Sequence, residues 1–349
     1  MGTIPTILIA ILVFGFLIFI HEFGHYIFAR IFRVAIKEFS IGMGPKLVWY
    51  DSKKTGITYK LCAFPIGGYV AMEGEDGESQ NPNSFDKKPA WQRFIITAAG
   101  AFVNILFGFL AMIVLVSMLN ISGTTVRAFA DKELNGLTVS SVDSGLMIGD
   151  EIIKVGDKRV SIYDELSYEI MRQGNEPIDI TVVRDGKEKI IPNVVFPTLT
   201  ESGQTFGRMD FATHKIEKTP LSVLSYSFEK SILTVRMCWE SIFDLISGRY
   251  SLGAVSGPIG ISSAIGTAAS YGIEPLLNIV VLISINLGMM NLLPIPALDG
   301  GRLITVLFEM VTRKKIPAKV EGIVNGIGLI LLLGLSFVIM IKDVIQLIV

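Results

Sequence analysis

The sequence predicts a multi-pass α-helical membrane protein of about four transmembrane helices, with a β segment on the cytoplasmic side of the membrane and an inserted extracytoplasmic α+β domain. Three observations carry this. Half of the 349 residues are hydrophobic and only 18% are charged, where ordinary soluble domains carry roughly a quarter. Four stretches reach the roughly 20 mostly apolar residues that a spanning helix needs. Between the second and third stretches, over about residues 120 to 275, the pattern changes to short β-type runs, turn signals and amphipathic sequence.

The first stretch runs from Ile4 to about Phe32 and is uncharged until Glu22. It lacks a basic leading region and a small-residue cleavage site, so it reads as a span rather than a signal peptide. Met1-Gly2-Thr3-Ile4-Pro5-Thr6 fits the loose myristoylation pattern, but a following span makes an acyl anchor redundant. The second stretch, about Phe94 to Leu119, follows the basic cluster Lys87, Lys88 and Arg93. The third, Leu276 to Leu293, ends in the breaker run Asn291-Leu292-Leu293-Pro294-Ile295-Pro296. The last covers Ile323 to Ile341, where Gly326, Gly328 and Gly334 predict close helix approach. The short loops after the first span and before the last are both rich in Lys and Arg, which predicts that both are cytoplasmic and that the long insert and both termini are extracytoplasmic. The expected organisation is therefore 1–120 (two spans and a membrane-associated β loop), 121–200 (a β-rich domain), 201–275 (an amphipathic connection) and 276–349 (two further spans).

Within the insert, Thr138–Val142, Glu151–Val155 and Ile178–Val183 are rich in β-branched residues and predict strands. Asp185-Gly186 predicts a hairpin turn. Pro220 to Tyr271 reads as amphipathic helix with Gly/Ser breaks.

Composition also excludes. A formal net charge of −1 leaves no electrostatic footprint for nucleic acid. Cys62 and Cys238 form no CxxC pair, so neither a disulfide framework nor a thiolate metal site is supported. Of the three histidines, His21, His25 and His214, two fall four residues apart.

Those two belong to His21-Glu22-Phe23-Gly24-His25. Residues four apart share a helix face, so both imidazoles can address one ion. Glu22, offset by one, can serve as general base to water without taking a coordination position. An ionisable cluster inside an apolar span is costly, and by default it is functional. With a rise of 1.5 Å per residue, His25 and His21 lie on the order of 8 to 14 Å from Arg30, inside the bilayer and nearer the cytoplasm. A catalytic zinc keeps three protein ligands, so one more must come from elsewhere. Asp299 is the candidate: in Asn291-Leu292-Leu293-Pro294-Ile295-Pro296-Ala297-Leu298-Asp299-Gly300-Gly301 the prolines interrupt helix and the glycines are read as letting the chain turn. Irregular backbone at that depth is tolerated only in protein or beside a wet cavity.

HExxH in the first span together with Asn-x-x-Pro-x-x-x-Leu-Asp-Gly after the third resembles the site-2 protease family of intramembrane zinc metalloproteases. The nearer likeness is to the bacterial RseP/RasP group, which carries a PDZ insert between spans two and three. The stretch Ser144-Gly145-Leu146-Met147-Ile148-Gly149-Asp150-Glu151-Ile152-Ile153-Lys154-Val155 is similar to the core of PDZ domains, which capture extended peptides by strand addition. Phe39–Lys46 and Phe64–Val70 resemble the family's glycine-rich β segments, Ala99–Asn104 its second-span motif and Ser256–Gly260 its segment before span three.

The resemblance implies a Zn2+ cofactor held by His21, His25 and Asp299, with Glu22 as the base. It places Asn104 and Asn291 near the cleft, bonding an unwound substrate backbone or else serving as interhelical glue. It gives the β segments around Gly42 and Gly67 either a strand-pairing role toward substrate or a headgroup-anchoring one. The implied substrates are single-pass membrane proteins already shortened by another protease, such as anti-sigma factors or signal-peptide remnants, in a bacterial inner membrane. The insert would capture peptides, or act as a steric filter or spacer. Two other readings stay open: a membrane metal transporter, although no inverted repeat is visible, and a non-catalytic peptide-binding scaffold.

Overall fold

The computed structural model describes residues 2–75, 77–131, 139–201, 204–249, 253 and 255–348. The chain divides into two compact units, one of Met1–Ala111 with Val235–Val349 and the other of Met112–Thr234.

The first unit opens with α1 (Thr3–Ile31), continues through a two-stranded antiparallel hairpin of β1 (Ile36–Asp51) and β2 (Thr58–Met72), and enters α2 (Ala90–Met118). Four helices of the described chain are long and apolar enough to cross a membrane: Ile4–Ile31, Ala90–Met118, Ile273–Leu292 and Lys319–Ile345. They match the four expected stretches, so this is a membrane-embedded protein. At 29 residues, α1 measures about 43 Å, more than the roughly 30 Å of hydrocarbon.

Because α1 is apolar all round, its sequence does not mark an inner face, and packing chooses one. Ala10, Leu17, His21, Gly24, His25 and Ala29 form a buried stripe at helical spacing, while Ile4, Leu8, Leu12, Phe16 and Phe23 face outward. Gly24 permits the approach of α2: a Cβ there would stand 2.6 Å from the Ala99 carbonyl oxygen.

The inner half of the hairpin packs on α1, where Ile36, Phe39, Val70 and Met72 join Ala29, Ile57, Phe85 and Ile96 in one cluster. Tyr26 and Tyr59 share a hydroxyl hydrogen bond of 2.8 Å. The outer half projects Leu47, Val48, Trp49 and Tyr50 outward. The register slips repeatedly along the ladder, and glycines with positive φ, at Gly42, Gly44 and Gly67, stand among the slips.

The unit resumes in α4 (Pro220–Ile246), whose first residues belong to the other unit, and continues with α5 (Pro258–Tyr271), α6 (Ile273–Leu292), α7 (Asp299–Thr312) and α8 (Ala318–Ile348). The expected helix with breaks over Pro220–Tyr271 is thus two helices. The segment Ser256–Gly260 starts α5, and Gly260 N–H donates to the Asp343 carboxylate of α8 at 2.9 Å, satisfying a donor left open at the helix start. The basic stretch between the last two spans holds an unexpected amphipathic helix, α7, which buries Leu303 and Val306. One expectation for α8 is corrected: Gly326 and Gly334 have nothing within 4 Å of a would-be Cβ, and only Gly328 is a close-approach site, with a Cβ 2.7 Å from the Pro296 carbonyl oxygen.

The second unit holds a six-stranded antiparallel sheet. Its strands are β3 (Ser122–Phe129), β4 (Glu151–Val155), β5 (Lys158–Arg159), β6 (Ile178–Arg184), β7 (Lys187–Val194) and β10 (Phe211–Lys215), in the order β10-β3-β4-β6-β7 with β5 paired to β4. A separate pair, β8 (Thr198–Glu201) and β9 (Gln204–Gly207), and a helix, α3 (Tyr163–Gln173), complete it. The core gathers Val126, Leu146, Ile152, Leu166, Ile170, Ile180, Val182 and Phe196, all essentially inaccessible. Two predicted strands and the turn at Asp185-Gly186 are present. The third, Thr138–Val142, is not a strand: Ser141–Ser144 forms a 3-10 turn, and Thr138 lies outside the described residues. The reason is side-chain competition for the backbone. Asp210, itself buried, accepts from Ser141 N–H at 2.8 Å and from the hydroxyls of Ser140 and Ser141 at 2.5 and 2.6 Å.

Candidate metal centre

α1 delivers His21 and His25 from consecutive turns of its buried face, with ring centroids 4.9 Å apart. α7 delivers Asp299 as its first residue, behind a turn that leaves α6 at Leu292. The positive φ of that turn falls on Ala297, at +74°, and not on Gly300 or Gly301 as the sequence suggested. Asn325 of α8 holds it, its side-chain oxygen accepting from Ala297 N–H at 3.2 Å. The glycines serve a steric need instead. A Cβ at Gly301 would sit 2.6 Å from the Ile295 carbonyl oxygen, and one at Gly300 would collide with the Leu293 carbonyl.

The result is a tight triangle. His21 Nε2 and His25 Nε2 are 3.2 Å apart, and Asp299 Oδ2 lies 3.0 Å from the first and 3.2 Å from the second. Tetrahedral coordination at about 2.0–2.1 Å separates its ligands by about 3.3 Å, so the spacing fits one zinc ion. Among the described residues this is the group of three or more His, Cys, Asp and Glu side chains able to share an ion. Two further observations agree with it. Asp299 Oδ2 is buried yet accepts no well-directed hydrogen bond. His25 Nδ1–H donates to the Ile96 carbonyl at 2.9 Å, which leaves its Nε2 lone pair facing the triangle.

Gly100 on α2 closes the floor. A Cβ there would stand 2.8 Å from His21 Nε2 and closer still to His25 Nε2, so only glycine keeps both rings free. The Ala99–Asn104 motif contains Gly100, but nothing local in the sequence marks it as the floor of a metal centre.

A cavity of about 190 Å³ adjoins the triangle, lined by His21, Glu22, His25, Tyr69, Val70, Met72, Glu75, Thr97, Asp299 and Arg302. Glu22 thus shares this cavity with the two histidines and Asp299. β2 runs directly against it, since a Cβ at Gly68 would be 3.1 Å from Glu22 Cγ. Two residues on this wall had no predicted role, Glu75 and Arg302. They form an ion pair, and Arg302 Nε also lies 3.7 Å from Glu321.

The other expected site residues are placed as follows. Gly42 and Gly67 both occupy positive-φ positions of the hairpin, in β1 and β2. Asn291 sits in the last turn of α6, partly buried, and is not on the cavity wall. Asn104 is fully buried behind the histidines, its Nδ2 3.2 Å from His21 Nδ1. It is not among the residues that line the cavity.

Comparison with known proteins follows this geometry. The profile of peptidase family M50 matches residues 9–335. A protein of Fusobacterium nucleatum, named as a proposed zinc metalloprotease, is 38% identical over 346 residues, covering 97% of this chain and 98% of its own. Similarly named proteins of Clostridium acetobutylicum and Rickettsia conorii are 34% and 32% identical, each covering at least 96% of this chain and 97% of its own. The chain belongs to peptidase family M50, the site-2 protease family that its motifs resemble.

Proposed function

We propose that this zinc metalloprotease cleaves peptide bonds within the transmembrane segments of single-pass membrane proteins, in regulated intramembrane proteolysis. The observation that carries the reading is the His21–His25–Asp299 triangle, with spacings of 3.0 to 3.2 Å, set into a helix long and apolar enough to span a membrane. His21, His25 and Asp299 would hold the zinc. When bound there it supplies Lewis acidity toward the scissile carbonyl and toward water, whose pKa falls to about 7. The residues of the chain do the rest. Glu22 takes the proton from the attacking water and returns it to the leaving amine.

A helical substrate hides its backbone, so a stretch of it must unwind. The hairpin supports strand pairing: β2 contributes Tyr69, Val70 and Met72 to the cavity wall, and a two-stranded sheet offers edges to an extended chain. Gly42 and Gly67 set the bulges that shape those edges. Asn291, at the end of α6 and off the cavity wall, would meet an unwound backbone only outside this cavity.

The basic loops next to the first and last spans support a bacterial inner-membrane topology with the site toward the cytoplasm, and with the insert and both termini outside. In the second unit, Gly145 and Gly149 take positive φ, and Arg184 ties the segment down through Asp150 at 2.6 Å and the Gly145 carbonyl at 2.9 Å. These features support a PDZ-like turn before β4; such a domain would capture peptides or act as a size filter for substrates shortened by an earlier protease.

The test is Glu22→Gln in the full chain, with zinc content and cleavage of a single-pass substrate measured together. Zinc should stay and the rate should fall by roughly 10²–10⁴-fold. Retained cleavage would overturn the mechanism. Uptake of zinc into proteoliposomes would point to transport instead.

A further inference from the structure

A ligating imidazole offers a lone pair at one nitrogen and carries its proton on the other, which then needs an acceptor. His25 meets this condition through the Ile96 carbonyl. For His21 the group facing Nδ1 is the side-chain amide of Asn104, on α2 one turn beyond Gly100. Asn104 is completely buried, and its Oδ1 has no hydrogen-bond partner. An amide can present either end. With Nδ2 toward the ring, Nδ1 is the acceptor and the proton sits on Nε2, the atom that faces Asp299 and His25; that tautomer cannot ligate. A half turn about the Cβ–Cγ bond exchanges Nδ2 and Oδ1 at almost constant volume, lets Oδ1 accept from Nδ1–H and frees Nε2.

We infer that Asn104 is a positioning residue for the metal centre: its side-chain oxygen accepts the Nδ1–H of His21 and holds that ring in the tautomer that binds zinc. The main chain fixes it for this task. Ser284 of α6, itself inaccessible, donates to the Asn104 carbonyl at 2.8 Å, which ties this turn of α2 to the neighbouring helix and keeps the amide behind the histidine. Ile96 and Asn104, both on α2, thus serve one ligand each. The inference rests on the zinc reading above and deepens it.

The discriminating variants are Asn104→Asp, which has the same shape but only acceptor atoms, and Asn104→Leu, which has none. Zinc affinity of the full-length protein is measured by competition with a chromogenic chelator, alongside the visible absorption of the cobalt(II)-loaded protein and a thermal melt. Asn104→Asp should bind zinc within roughly threefold of wild type and keep its cobalt bands, whereas Asn104→Leu should lose roughly 10–100-fold with altered bands. The inference is overturned if Asn104→Asp loses zinc, since the amide donor would then be the operative group, or if a folded Asn104→Leu binds zinc as wild type does. Should Asn104→Leu fail to fold, the isosteric Asn104→Asp decides alone. A wild-type protein that binds no zinc would instead sink the reading on which this rests.

Discussion

Adding one methyl group at Gly100 should weaken the metal centre without replacing a ligand. The Cβ of Gly100→Ala would lie 2.8 Å from His21 Nε2 and Cε1, about 0.6 Å short of the 3.4 Å at which ordinary contact begins, and it would be closer still to His25 Nε2. Neither ring can retreat freely. His25 is held through Nδ1 by Ile96 and His21 abuts Asn104, while close contact at Gly24 stops α1 and α2 from shifting. Overpacking of this kind costs about 1–3 kcal/mol. If the rings yield rather than the helices, zinc affinity falls by roughly 5- to 150-fold, and peptidase activity falls with it. The assay is chelator competition on purified protein, with Gly326→Ala and Gly334→Ala as controls because nothing lies within 4 Å of a Cβ at either position. Wild-type zinc affinity in a folded Gly100→Ala protein would refute the reasoning.

Further outcomes follow from other contacts. Asp210→Ala strands three buried donors on Ser140 and Ser141 and should destabilise the second unit by about 2–4 kcal/mol in denaturant titration. Arg93→Ala leaves Glu309, 2.5 Å away and largely buried, without that cation; a loss of about 3 kcal/mol is expected, read as a lower melting temperature. Burial, then the Asp164 carboxylate 2.7 Å away, pushes the Tyr226 phenol up from its ordinary value. The folded state therefore holds that proton more tightly than the unfolded chain, so this contribution is intact at neutral pH and is lost as pH climbs above about 10. Tyr226→Phe should flatten the alkaline limb of the stability curve, and an unchanged limb would count against it.

Much of the site was legible because local rules suffice for it. His21, Glu22 and His25 lie within one turn of a helix that hydropathy alone announces, and helical geometry dictates that the two imidazoles share a face. Asp299 was legible for a different reason, as a carboxylate beside prolines at the end of an apolar span. Less visible were groups whose importance is purely spatial. Gly100 and Asn104 carry no local signal for a metal, and Glu75 and Arg302 read as ordinary loop charges until α7 brings them together. In the second unit, β10 lies far along the chain from its partner β3, and the pattern of neither run names the other.

Hydropathy, periodicity and motif spacing by themselves determined that this chain is membrane-embedded, which stretches are long and apolar enough to span, and that His21 and His25 share one helix face, because each depends on residues close in sequence. Only the tertiary structure decided which face of the uniformly apolar α1 turns inward, that Asp299 closes to within 3.2 Å of both histidines, and that a glycine and an asparagine of α2 lie against those rings. Those outcomes depend on van der Waals contact and hydrogen-bond direction between segments far apart in the chain, which no local pattern encodes.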